Sequence, residues 1–140
     1  MLHHHNKFLQ NILLDWNLFL DQNSGPGIAD NPCAAPIILD SRKQEMIKMS
    51  SYYYIGHFSR YIKRGAVALG IKLTGALSEK IPEGCAFRNP DGQLAVILMN
   101  REDMPLSGTI AIDGKYTEVN LDAHSIGTLL VDFEENLNCS

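Results

Sequence analysis

No apolar run in this sequence reaches the roughly 18 residues that a bilayer-spanning helix needs, so no transmembrane segment is expected. Nor does the opening Met1-Leu2-His3-His4-His5 set a basic segment before a long apolar one, so no secretory leader is expected and a soluble chain is. Cysteine is scarce. Cys33, Cys85 and Cys139 form no CxxC pair, and an odd count argues against a disulfide framework. The simpler expectation is reduced thiols, with Cys33 and Cys85 buried or half-buried. Positive charge is also short: 12 Lys and Arg stand against 16 Asp and Glu, a formal net charge of −4. That balance leaves no electrostatic footprint for nucleic acid. The one close basic group, Arg60, Lys63 and Arg64, suits the C-terminal end of a helix, where cations complement the dipole. Metal-ligand spacing is missing too. Adjacent histidines on a chain end, such as His3, His4 and His5, diverge and have no supporting partners, so neither a metal nor a cofactor is expected.

What the chain does have is 45% apolar residues, enough to pack a core. From Ile12 to Leu20 the run is apolar apart from Asp15 and Asn17. Such a run suits a strand buried on both faces, although periodicity alone does not separate it from a buried helix. Residues 21–36 collect Asp, Asn, Ser, Gly and Pro into a long loop, a kind that tends to be functional or disordered. Ile37–Leu39 and Glu45–Met49 then read as a small hairpin. Ser50 or Ser51 can cap a helix, and Tyr52, Ile55, Phe58 and Ile62 form its apolar stripe. Gly56 within it costs up to ~1 kcal/mol of helix propensity, so close packing is expected there. Gly65 suits the helix end.

From residue 66 the pattern changes to short strands: Ala66–Leu73, Gly84–Arg88, Leu94–Met99, Ser107–Ile112, Lys115–Leu121 and Ser125–Val131. Asn89-Pro90-Asp91-Gly92 and Asp113-Gly114 supply turns. Several short strands with regular turns imply an antiparallel sandwich or barrel. The first part, by contrast, cannot close a core alone: one strand, a hairpin and one helix bury too little surface to offset chain entropy.

Four blocks then stand out: Asp15-Trp16-Asn17-Leu18; Gly25-Pro26 followed by Asn31; Ala35-Pro36-Ile37-Ile38; and Tyr54-Ile55-Gly56-His57-Phe58-Ser59-Arg60-Tyr61-Ile62. With Asn89-Pro90-Asp91-Gly92, an apolar strand and Asn100 after them, they resemble glycoside hydrolase family 30 of the glucosylceramidase type. The resemblance runs over about residues 8–132, and the Gly-His-Phe-Ser-Arg block is its most specific part. It implies a mostly β chain: the last β/α unit of a (β/α)8 TIM barrel followed by an antiparallel β-sandwich. The expected bounds are residues 1–64 for the barrel end, 65–133 for the sandwich and 134–140 for a polar tail.

The family's activity, carried over as an implication, is hydrolysis of β-glycosidic bonds with retention by two glutamates. These lie near the ends of the fourth and seventh barrel strands, about 5 Å apart. The chain resembles the family from just before the eighth strand, so both glutamates are expected upstream and no catalytic residue is assigned. Glu45, Glu79, Glu83, Glu102, Glu118, Glu134 and Glu135 fall in turns, on solvent faces or in the tail. Two residues match the glycone pocket. Trp16 taken by itself is a core aromatic; within the family pattern its flat face and indole N–H suit a sugar. Asn31 taken by itself is a turn residue before Pro32; the pattern also makes it a pocket residue, and both readings stand. Asp15 is a candidate orienter of Trp16. His57 reads as a packed or hydrogen-bonded structural histidine. The chain departs from the family at Ser24-Gly25-Pro26-Gly27, where Gly-Gly-Pro-Asn is frequent, and at Pro32. These changes put substrate preference in doubt.

Two functions follow. One is the C-terminal part of a glucosylceramidase-like enzyme, inactive alone, whose substrate is a β-glucoside or glucosylceramide-like lipid once the barrel is complete. The other is a stand-alone sandwich module that binds carbohydrate or protein. The second is disfavoured because residues 66–132 hold only Phe87 and Tyr116 as aromatics, little stacking surface for a sugar.

Overall fold

A computed structural model describes residues 13, 15, 17–26, 33–71, 82–112 and 114–132. They fall into two compact units, residues up to 52 and residues from 53 on.

In the first unit, β1 (Phe19–Asp21), β2 (Ile37–Asp40) and β3 (Glu45–Lys48) form one sheet in that order. β1 and β2 are parallel, with Phe19 opposite Ile37 and Asp21 opposite Leu39. Parallel neighbours cannot be joined by a tight turn, which is why residues 22–36 separate them. β2 and β3 make the expected hairpin, with Asp40 opposite Glu45. Leu20 and Ala35 are buried. Of the apolar run Ile12–Leu20, residues 12, 14 and 16 lie outside the described residues. The described strand begins only at Phe19, and Leu18 and Phe19 are 68% and 53% exposed. The side chains of Leu18 and Phe19 therefore have no covering layer among the described residues. On β3, Met46 and Ile47 are exposed as well.

The helix α1 spans Ser50–Tyr61, so Met49 rather than a serine stands before its first residue, and Tyr52 N donates to Met49 O at 3.0 Å. Its residues from 53 on belong to the second unit together with six strands: β4 (Val67–Leu69), β5 (Glu83–Arg88), β6 (Leu94–Asn100), β7 (Leu106–Ile112), β8 (Lys115–Leu121) and β9 (Ser125–Val131). β4, β5, β6 and β9 form an antiparallel sheet in that order, and β7 pairs with β8. β4 is shorter than the expected Ala66–Leu73 strand. Ala86, Val96, Leu98, Ile110 and Leu121 make the core between the sheets, with Leu69, Ile71, Val119 and Leu129 packed on it.

β6 is buried along almost its whole length, on both faces. Alternation explains which residues go where. Val96 and Leu98 face β7 and β8. Ala95 and Ile97 point to the other side, in register with Phe87 and Cys85 of β5 and with Leu130 and Thr128 of β9. The helix meets that second face: His57 Nδ1 lies 2.7 Å from Thr128 Oγ1. His57 is thus the hydrogen-bonded structural histidine expected. Cys85 is half-buried there, and its burial pushes the thiol pKa up, away from a reactive thiolate. Cys33 is half-buried too.

Asn89 joins the helix to the turn between β5 and β6. Its amide donates to Tyr61 O at 2.9 Å and its side-chain oxygen accepts Lys63 N at 2.9 Å. Its backbone closes the turn with Gln93 and Gly92, where Gly92 has φ +85°. Lys63 forms an ion pair with Asp91 in the same turn. Gly65 lies four residues past Tyr61, with φ +87°, in the turn leading to β4. Gly56 is not closely packed, contrary to expectation: a Cβ there would meet nothing within 4 Å.

Asn100 is the other buried polar anchor, at 0% exposure. Its amide nitrogen donates to Met104 O, Leu121 O and Asp122 O, and its oxygen accepts Glu102 N. One side chain therefore satisfies four backbone groups at the corner where β6, β8 and β9 converge.

Three outcomes are expected in unfolding measurements on the chain. Asn100→Ala should cost about 2–4 kcal/mol in urea unfolding, because buried carbonyls lose their donor; a cost under about 0.5 kcal/mol would contradict that role. Gly56→Ala should raise the melting temperature, by the equivalent of about 0.5–1 kcal/mol, since the added methyl meets open space in a helix. The third concerns acid. Lys63 holds the Asp91 pKa below its ordinary value through their hydrogen bond. A lowered folded pKa gives stability that is present above the unfolded pKa of about 3.9 and is lost as pH falls through the folded value. Asp91→Asn should therefore flatten the acid limb of stability below about pH 4 and leave the slope near neutrality unchanged.

Candidate functional site

The stretch that resembles a barrel end, residues 1–64, includes the first unit, whose two parallel strands define a direction. In (β/α)8 barrels the reacting groups gather at the C-terminal ends of the strands. Here those ends are Asp21 on β1 and Asp40 on β2, and the register makes them neighbours, with Asp21 opposite Leu39.

Each strand stops in the same way. Asp21 accepts the N–H groups of Asn23 and Gly25, both at 2.8 Å, through one carboxylate oxygen. Asp40 accepts those of Arg42 and Lys43 at 3.0 and 3.1 Å. In both cases a short acidic side chain satisfies backbone donors that have just left the ladder and folds the chain back. Around Asp21 the turn is closed further by Ser24 N on Asp21 O at 3.1 Å and Asp21 N on Gly25 O at 2.6 Å. Ser24 has φ 64° and Gln44, at the end of the second turn, has φ 54°. These left-handed conformations cost a side-chain-bearing residue roughly 1–2 kcal/mol each, so the surrounding bonds must hold them. Asn17, the residue after Trp16, is also left-handed at φ 62°. Asn tolerates that conformation better than most residues, and it redirects the chain just before β1.

A longer contact ties the two turns together. Gln22 Oε1 accepts Ser41 N at 3.1 Å and Ser41 Oγ at 3.3 Å. The loop that leaves β1 is thereby fastened to the turn that leaves β2.

Of the residues expected to touch substrate, Trp16 and Asn31 both lie outside the described residues, as do His3, His4, His5, Cys139, Glu79, Glu134, Glu135 and the tail. Asp15 is described and exposed. Glu45, Glu83 and Glu118 are exposed, with Glu83 3.6 Å from Arg101, and Glu102 is half-buried beside the Asn100 corner. Among the described residues no group of three or more His, Cys, Asp or Glu could hold a metal ion, and no helix is long and apolar enough to cross a membrane. Reading the sequence missed the Gln22–Ser41 contact. Asp21 followed by Asn23, Ser24 and Gly25 is a legible turn signal, but nothing in sequence pairs Gln22 with a serine 19 positions away.

Comparison with known proteins finds two consecutive matches. The glycosyl hydrolase family 30 TIM-barrel domain matches residues 2–62, and the glycosyl hydrolase family 30 beta sandwich domain matches residues 65–129. The lysosomal acid glucosylceramidase of Mus musculus is 37% identical over 95 residues, which are 66% of this chain and 18% of that protein. The crystal structure of SrfJ from Salmonella typhimurium superposes with a TM-score of 0.70 at 31% identity, covering 86% of this chain and 26% of that one. An endo-β1,6-glucanase superposes with a TM-score of 0.67 at 26% identity, covering 81% of this chain and 25% of that one. The chain thus spans about a fifth of the length of the mouse relative.

Proposed function

The chain belongs to glycoside hydrolase family 30, and from that premise we propose that it is the C-terminal part of a retaining β-glycosidase of the glucosylceramidase type. The observation that carries this reading is the order of the two family matches, barrel then sandwich, over 2–62 and 65–129. A 61-residue barrel match is about a quarter of a typical TIM barrel of ~250 residues. The parallel β1–β2 pair within it suits the last strand of such a barrel.

In this reading residues 1–64 end the barrel, 65–133 form the sandwich and 134–140 are a tail. The nucleophile and the acid/base glutamates belong to barrel strands outside these 140 residues. What this chain contributes is one wall of the sugar pocket. Trp16 supplies a flat ring suited to the C–H groups of a glycone and an N–H suited to a hydroxyl. Asn31, on the loop after β1, binds a second hydroxyl. The names of the relatives, a glucosylceramidase and an endo-β1,6-glucanase, both point to a glucose-containing substrate. A β-glucoside, with glucosylceramide as the representative lipid, is therefore the substrate class proposed. Without both carboxylates neither covalent catalysis nor proton transfer is available, so the 140 residues alone hydrolyse nothing.

A chimera tests this. These residues would replace the matching segment of the mouse relative, and hydrolysis of a fluorogenic β-glucoside would be followed. The chimera should turn over and the isolated chain should not. Trp16→Ala in the chimera should lower kcat/KM about 30-fold, the equivalent of ~2 kcal/mol for loss of an aromatic contact with substrate. Turnover by the isolated chain, or a folded chimera without activity, would overturn the reading.

A further inference from the structure

Gln22 has no role in the fold of either unit's core, yet it makes the one side-chain link between the two strand-end turns of the first sheet among the described residues. Both turns leave the same end of parallel strands, the end at which barrel enzymes place their substrate. Each turn is shaped internally by its own aspartate. Neither aspartate, however, sets the distance between the turns. A short carboxylate reaches backbone donors two to four residues ahead, not the neighbouring loop. The longer Gln side chain spans that gap, and its single carbonyl oxygen accepts both the backbone N–H and the hydroxyl of Ser41.

We propose that Gln22 is a positioning residue: by holding Ser41 it sets the separation of the turn after β1 from the turn between β2 and β3, at the strand ends where a barrel enzyme holds its substrate. This rests on the β-glycosidase reading above for the pocket, but not for the link itself. Gln22 need not touch substrate. The turn it fastens follows directly on β1, and the hairpin it fastens to carries Arg42 and Lys43, both exposed, at its tip. Loosening the link lets the two turns move apart without disturbing the aspartate caps, so substrate binding weakens while the reacting carboxylates stay in place.

The acceptor chemistry makes the test specific. Gln22→Glu keeps a carboxylate oxygen that accepts from Ser41; Gln22→Ala removes it. In the 140-residue chain, hydrogen exchange at the Ser41 amide should speed up about threefold to tenfold in Gln22→Ala, and return to near the parent rate in Gln22→Glu. In the active chimera, Gln22→Ala should raise KM for the β-glucoside severalfold with kcat within about twofold, and Gln22→Glu should restore KM. Ser41→Ala added to Gln22→Ala should change KM no further, since the two act through one contact. Unchanged exchange in Gln22→Ala would overturn the link whatever the chimera does. Faster exchange with unchanged KM would overturn the positioning role. An inactive parent chimera would overturn the β-glycosidase reading and the positioning role that rests on it, while the exchange ratio would still decide the link.

Discussion

The side-chain amide of Asn89 is 2% exposed, and both of its ends are committed to backbone groups that burial would otherwise leave without partners. The last carbonyls of a helix have no partners within it. One of them, that of Tyr61, finds its donor in the turn between β5 and β6. The chain just past the helix donates back from Lys63. An amide is the side chain that does both, because it carries a donor and an acceptor side by side. This contact ties the end of α1 to the four-stranded sheet, and much of the second unit follows from it. With the helix held there, and with His57 beside Thr128 as a second tether, the outer face of β6 is covered. Ala95 and Ile97 can then be as apolar as Val96 and Leu98. A strand of a two-layer sandwich would be apolar on one face only; β6 is buried on both, with Ala95 and Ile97 0% and 2% exposed on the side where His57 meets Thr128.

The two units differ in how they satisfy themselves. The second has a core of its own, from Ala86 to Leu121, and a buried polar anchor at each end, Asn89 and Asn100. The first has Leu20 and Ala35 buried, while Leu18, Phe19, Met46 and Ile47 remain exposed. Apolar surface at that density is what a partner layer covers in a complete barrel. The division also separates tasks. The second unit is stabilised internally by that core and those two anchors. The first offers strand ends, aspartate-capped turns and a loop, the parts that line a site once neighbouring strands are present.

Several elements were legible before the structure because their signals are local. The hairpin at residues 37–48, the helix Ser50–Tyr61, the Asn89–Gly92 turn and the strands from 94 onward depend on period and turn chemistry within a few residues. The family resemblance was legible for the same reason: its blocks are short and ordered along the chain, and the family matches bear it out. Gly56 misled because a glycine inside a helix has two physical causes, close approach of another group or simple tolerance, and only the surroundings separate them. Leu18 and Phe19 misled because an apolar run reports what a segment is suited to bury, not whether a neighbour is there to bury it.

The amino-acid sequence by itself determined the hairpin, the helix, the strands from 94 on, the order of barrel end and sandwich, and the family, since all of these rest on residues near one another along the chain. Tertiary structure alone decided that α1 is fastened to the sandwich by Asn89, that Asn100 gathers four backbone groups at one corner, and that Gln22 reaches Ser41. Each of those contacts joins residues brought together by folding, at separations where hydrogen bonding needs distances near 3 Å. No spacing rule along a chain specifies such a distance; only the packed backbone does.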